Sequence, residues 1–285
     1  MKTKKRLGDK RKKDNIQKHN LKLVDRGGFG KIYKTPNYPD LVFKVVYNKH
    51  ANLNKLKWFQ EKIKDGGKNI EKKFLNYEVI DPNKYKLENI DLKGKTIFKC
   101  EKMKYTLRQI SKSKELSIKE IAQIGVFILN VLSFFEFNNM VFTDLKDNNI
   151  MCDSSTNIAN SLKIIDYING AYDCNKILCH DTEIIHRTYS FLKMDSFRKV
   201  DYNFQYHRLL LGYMLFKFTF PQTTKNFYVG KYIQLKQIVI FLKQSLQSKT
   251  QTLHKKRFIN FLITLFSEEG SWSIESMIFD LKKLS

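Results

Sequence analysis

The chain changes texture once, and that change limits the folds open to it. From Leu21 to Tyr47 it runs in short pieces rich in β-branched and aromatic residues: Leu21-Lys22-Leu23-Val24, Lys31-Ile32-Tyr33-Lys34 and Leu41 to Tyr47. Gly27-Gly28, Gly30 and two prolines cut them apart. This spacing predicts a meander of three antiparallel strands. Asn52 to Lys64 predicts a helix ended by Asp65-Gly66-Gly67, and a second helix is expected from near Asn69. Two further strands are expected near Lys86-Leu87-Glu88 and at Thr96 to Cys100. Beyond Met103 helical periodicity dominates, and Ser117 with Glu120 forms a capping-box signature at the head of a helix running to Asn138. Ser161 to Asp166 reads as a short strand ending on an acid. The expectation is an α+β protein: a basic arm at 1–20, a small antiparallel-sheet lobe at 21–103 and a larger helical lobe at 104–285.

With 285 residues, 42% of them hydrophobic, the chain can bury a sizeable core and is not compositionally disordered. Its net charge of +24 favours encounters with polyanions, including non-specific nucleic-acid contact, although lysines on solvated helix faces account for the same count. Four cysteines in a chain this long do not form a disulfide framework, which points to a reducing compartment, cytoplasmic or nuclear. The basic clusters Lys4-Lys5-Arg6 and Lys10 to Lys13 read equally well as a nuclear signal or a solvated tail. No secretory pattern opens the sequence. The longest apolar run, Ile124 to Phe137, is interrupted by Asn130, Ser133 and Glu136, and reads as a buried helix rather than a membrane span. Cys174, Cys179 and His180 offer too few ligands at unusual spacing for zinc.

Four segments carry chemistry. Asp25-Arg26-Gly27-Gly28-Phe29-Gly30-Lys31-Ile32 joins two expected strands; glycines there let backbone amides approach phosphate, though hairpins use the same residues. Lys44 sits inside the apolar strand Leu41 to Val46, and a buried lysine asks for a carboxylate and an anionic ligand. An edge-strand lysine pointing to water is the ordinary alternative. Asp144, Lys146 and Asn149 fall within one short loop, bringing a carboxylate base, a cation and an amide ligand together if the turn is tight. Asp166 follows a strand and offers hard oxygen suited to magnesium.

In this order the segments resemble the eukaryotic-type protein kinase superfamily over roughly residues 21 to 220. The resemblance implies a bilobal kinase-like fold, ATP and Mg2+ as cofactors, and a protein substrate. Asp144-Leu145-Lys146-x-x-Asn149 looks like the catalytic loop of the serine/threonine form. The resemblance makes Asp144 the base, has Lys146 steady the γ-phosphate, and gives Asn149 and Asp166 to the metal. Gly27, Gly28, Gly30 and Ile32 would cover the nucleotide. Lys44 would contact the α/β-phosphates and pair with Glu71, or with Glu61, which is nearer in sequence. Glu101 and Met103 would form the hinge beside adenine, with Cys100 as gatekeeper.

The pattern departs from the family in several places. Asp25 replaces the first glycine. Phe142-Thr143 replaces the usual His-Arg, so a phosphorylated activation loop finds no arginine there, and activity independent of such phosphorylation is expected. Asp166-Tyr167-Ile168 lacks the glycine of Asp-Phe-Gly, and no Ala-Pro-Glu segment follows. His207 stands at the place of an aspartate in Tyr206 to Gly212. The short C-terminal lobe is similar to that of the trimmed kinases of large DNA viruses. Two other readings stay open: a pseudokinase that keeps the fold for interaction, and a polyanion-binding protein.

Overall fold

The structure is a computed structural model and describes residues 21–27, 30–81, 92–174, 204–229, 232–267 and 273–285. The basic arm, Gly28, the strand expected near Lys86, Cys179, His180 and the expected activation segment lie outside the described residues.

In chain order the first elements are β1 (Lys22–Gly27), β2 (Gly30–Lys34), β3 (Leu41–Tyr47), α1 (Asn48–Ala51), α2 (Leu53–Asp65), α3 (Lys68–Glu71), β4 (Glu78–Val79) and β5 (Lys95–Glu101). Then come β6 (Tyr105–Thr106), α4 (Leu107–Ser113), α5 (Ile118–Phe137), β7 (Met140–Phe142), β8 (Ile150–Cys152), β9 (Lys163–Ile164), α6 (Tyr167–Gly170) and β10 (Ala171–Asp173). The last are α7 (Phe204–Thr219), β11 (Tyr228–Val229), β12 (Tyr232–Ile233), α8 (Leu235–Gln247), α9 (Leu253–Phe266) and α10 (Ile274–Lys282). They form two compact units: residues up to Ala51 with Asn76–Lys102, and Asn52–Leu75 with Met103–Ser285. Residues 52–75, read from sequence as part of the small lobe, cluster with the second unit.

The first unit is a five-stranded antiparallel sheet in the order β1-β2-β3-β5-β4. Alternation along β3 buries Phe43 and Val45 with Ile80 and Ile97, and Leu21, Tyr33 and Leu92 cover that core. Gly30 is required by packing: a Cβ there would lie 2.5 Å from the carbonyl oxygen of Val45 on the paired strand.

The second unit is built around α5, which packs against α7, α10 and β7. Its capping box is present, with Ser117 Oγ accepting from Glu120 N–H and Glu120 accepting from Ser117 N–H. By length and apolar composition α5 could cross a bilayer, yet most of it is buried inside the protein. Phe134, Phe135 and Leu209 to Leu211 are core. Phe137 is not: it is 90% exposed, the last residue of the helix and two positions round from Phe135.

Both helices expected after Asn52 are present, and the second, α3, is only a single turn. The long helix is α2, capped by the Asn52 side chain on Lys55 N–H, and it carries Glu61. Glu71 ends a single helical turn. The chain then leaves helix because Phe74 bridges to Ile164, with Leu75 N–H donating to Ile164 and Ile164 N–H to Lys73.

Candidate active site

In the first unit the sheet register brings the predicted nucleotide residues to neighbouring positions. Gly27 pairs with Gly30, Gly30 with Val46, and Ile32 directly with Lys44. β3 lies between β2 and β5, so Lys44 is on an interior strand and the edge-lysine alternative falls away. Because Phe43 and Val45 face the core, Lys44 projects from the opposite face. Its ammonium sits 5.7 Å from the centroid of Tyr77, within cation–π range. Cys100 pairs with Val42 on that same face, and its buried thiol donates to the Val42 carbonyl at 3.9 Å. Glu101 closes β5 opposite Leu41. Asp25 is exposed and its carboxylate accepts from Arg26 N–H at 2.7 Å, a role internal to the hairpin.

The second unit holds the other cluster. Leu145 is fully buried and tucks the loop into the core, leaving Asp144 and Lys146 partly exposed. Lys146 Nζ meets Asp144 Oδ1 at 2.6 Å. Asn149 Nδ2 donates to Asp144 twice, to its carbonyl at 2.9 Å and to Oδ2 at 2.7 Å. The donor end of the amide is thereby committed to Asp144, and its oxygen is the end suited to a hard cation. Ile165 N–H donates to the Asn149 carbonyl at 2.9 Å, which ties the residue before Asp166 to the loop. Asp166 has φ 55° and ψ 21°, a left-handed conformation that aspartate tolerates better than most residues. One carboxylate and one amide oxygen fit magnesium, which keeps waters and takes few protein ligands. Among the described residues no cluster of three or more His, Cys, Asp or Glu side chains could hold a metal by itself.

Several supports escaped the motif pattern. Asp147 is buried and ion-paired to Lys217 of α7 at 2.5 Å. A lone lysine in the apolar stretch Leu209 to Phe220 was the available signal, by the reasoning already applied to Lys44. Gly170 accepts from Thr143 N–H at 2.8 Å and from Thr143 Oγ1 at 3.2 Å. A Cβ on Gly170 would lie 2.6 Å from the Phe142 ring and 2.8 Å from Asp144 Cβ. Gly170 is thus required by close packing against the loop that carries Asp144.

His207 lies fully buried, and its Nε2 accepts from Phe142 N–H at 2.9 Å. Burial pushes its pKa down to about 3, so the imidazole is neutral. With Nε2 accepting, the proton sits on Nδ1, which meets no partner among the described residues. Tyr206 OH reaches the Thr143 carbonyl at 3.4 Å, so α7 holds both residues before Asp144.

The remaining predicted residues are placed without forming a cluster. Met103 is buried at the start of the second unit's main stretch, and Glu61 and Glu71 are both exposed.

The fold that carries these clusters is α+β and of the bilobal protein-kinase type. Among solved structures it is similar to vaccinia related kinase 3, with a TM-score of 0.61 over 93% of this chain and 86% of that one. Identity across the match is 14%, a level at which likeness speaks for the fold alone. No family model and no curated protein matches the chain.

Proposed function

We propose that this chain is a serine/threonine protein kinase that transfers the γ-phosphate of ATP to protein hydroxyls. The observation that carries the reading is the Asp144, Lys146 and Asn149 cluster, bonded through the Asn149 carbonyl to Ile165, the residue before Asp166. Asp144 accepts the proton of the attacking hydroxyl as its oxygen bonds to the γ-phosphorus and the bond to the β-phosphate oxygen breaks, releasing ADP. Lys146 holds one oxygen of Asp144 and neutralises charge on the transferred group. Asn149 orients Asp144 through its amide nitrogen and, with Asp166, would hold Mg2+. The metal, when bound, screens phosphate charge. Lys44, Gly27, Gly28, Gly30 and Ile32 would take the phosphates and cover the nucleotide, with Glu101 and Met103 beside the base. Glu71 or Glu61 would pair with Lys44. The net charge of +24 adds salt-sensitive, sequence-independent contact with nucleic acid. A cytoplasmic or nuclear location and an origin in a large DNA virus belong to the same reading.

The test is transfer of labelled phosphate from ATP and Mg2+ to a basic protein such as histone. Asp144→Asn should lower the rate by roughly 10²- to 10⁴-fold, the range of general-base contributions, with nucleotide affinity nearly unchanged. Equal rates in the variant and the parent would remove Asp144 from the mechanism. The pseudokinase reading is favoured by Asp25, an exposed acid in place of glycine at the hairpin. It predicts no transfer by a protein that melts cooperatively.

A further inference from the structure

The segment carrying Asp166 is fastened to α2 and the turn that follows it on both sides of the acid. On one side the Tyr167 hydroxyl donates to the Leu75 carbonyl at 2.9 Å. The Tyr167 ring is 1% exposed, lies 4.9 Å from the Phe59 ring of α2 and meets Phe74 edge-on at 5.4 Å. Phenylalanine would keep those ring contacts. The hydroxyl adds a direction, because once buried it must find an acceptor, and Leu75 supplies one in this position. Further along the same side the Tyr172 ring lies 3.6 Å from Lys55 Nζ of α2. Lys55 is half-buried, and desolvation lowers its pKa to about 8.

The backbone adds to the hold. Ile164 and the 73–75 turn exchange two hydrogen bonds, at 2.7 and 2.9 Å, immediately before Asp166. Asp166 itself is left-handed, a conformation that persists where the surroundings impose it. Thr143 stands where an arginine would dock a phosphorylated loop, so the hold on Asp166 must come from elsewhere.

The geometry points to Tyr167 as a positioning residue: its hydroxyl, bonded to Leu75, keeps Asp166 set for the metal without a phosphate. This rests on the kinase reading above. Tyr167→Phe removes the hydroxyl and little else. Amide hydrogen exchange over residues 164–173 should accelerate roughly fivefold, the equivalent of one buried hydrogen bond. The Mg2+ concentration that half-saturates ATP binding should rise by a similar factor, while ATP affinity without Mg2+ stays unchanged. Phosphate transfer should fall at low Mg2+ and recover at high Mg2+.

Parental exchange and parental Mg2+ dependence in the variant would overturn the proposal. So would faster exchange spread evenly over the whole chain, which marks a general loss of stability. Should the parent bind no ATP, the kinase reading fails, while local exchange in Tyr167→Phe still decides whether the hydroxyl holds the loop.

Discussion

His207, read from sequence as standing at an aspartate's place, is a buried hydrogen-bond acceptor. An aspartate accepts hydrogen bonds as an anion; His207 accepts one as a neutral ring, with Phe142 N–H as donor. Neutrality follows from burial, which pushes the imidazole down to about 3. The sign of the pH effect is fixed by that depression. In the unfolded chain His207 titrates near its ordinary value of about 6.5, so between there and about 3 the unfolded state binds the extra proton. The contribution of the neutral ring is complete above about pH 6.5 and is lost as pH falls towards 3. The stability difference between the parent and His207→Gln should therefore shrink as pH drops from 7.5 to 4.5, read as thermal midpoints across that range. A difference that stays constant would mean that the ring takes up a proton as readily in the folded state as in the unfolded chain. From sequence this residue registered as a defect, because an acid is the usual acceptor and a neutral imidazole is not visible as one until its burial is known.

At the scale of elements, the Asp144 loop is held by neighbours distant in sequence. β7 pairs with β10, so the strand before Asp144 and the strand after Gly170 run side by side, and Gly170 lies against Phe142 and Asp144. Gly170→Ala should cost roughly 1–3 kcal/mol, the usual penalty for forcing a methyl into a packed site, measured by denaturant titration. It should lower transfer further than stability explains, because the methyl presses on Asp144 Cβ. A variant as stable and active as the parent would show that the loop yields freely.

The three-strand meander, the Ser117 capping box and the tight turn from Asp144 to Asn149 were legible because each rests on local pattern, whereas the interior placement of Lys44 needed the order of the sheet. The Lys217–Asp147 pair and the Gly170 contact were not legible, since both join segments tens of residues apart. The shortness of the helix that carries Glu71 was hidden for a related reason. Its local pattern is helical, but Phe74 and Leu75 are drawn into pairing with Ile164, which ends the helix after one turn.

For the whole molecule, the fold of the protein-kinase type supplies a sheet unit bearing Lys44 and a helical unit bearing Asp144, Asn149 and Asp166. The account requires that residues of both units act on one triphosphate. A double-mutant cycle on ATP binding tests this most directly: Lys44→Met, Asp166→Asn and the double variant, titrated with ATP in the presence of Mg2+. Asparagine tolerates the left-handed backbone of Asp166, so that change removes charge and spares the fold. The account predicts that each single variant weakens binding. It also predicts that the double variant loses less than the sum of the two, with a coupling of roughly 0.5–3 kcal/mol carried through the nucleotide. Strictly additive losses, or ATP affinity indifferent to both residues, would contradict it.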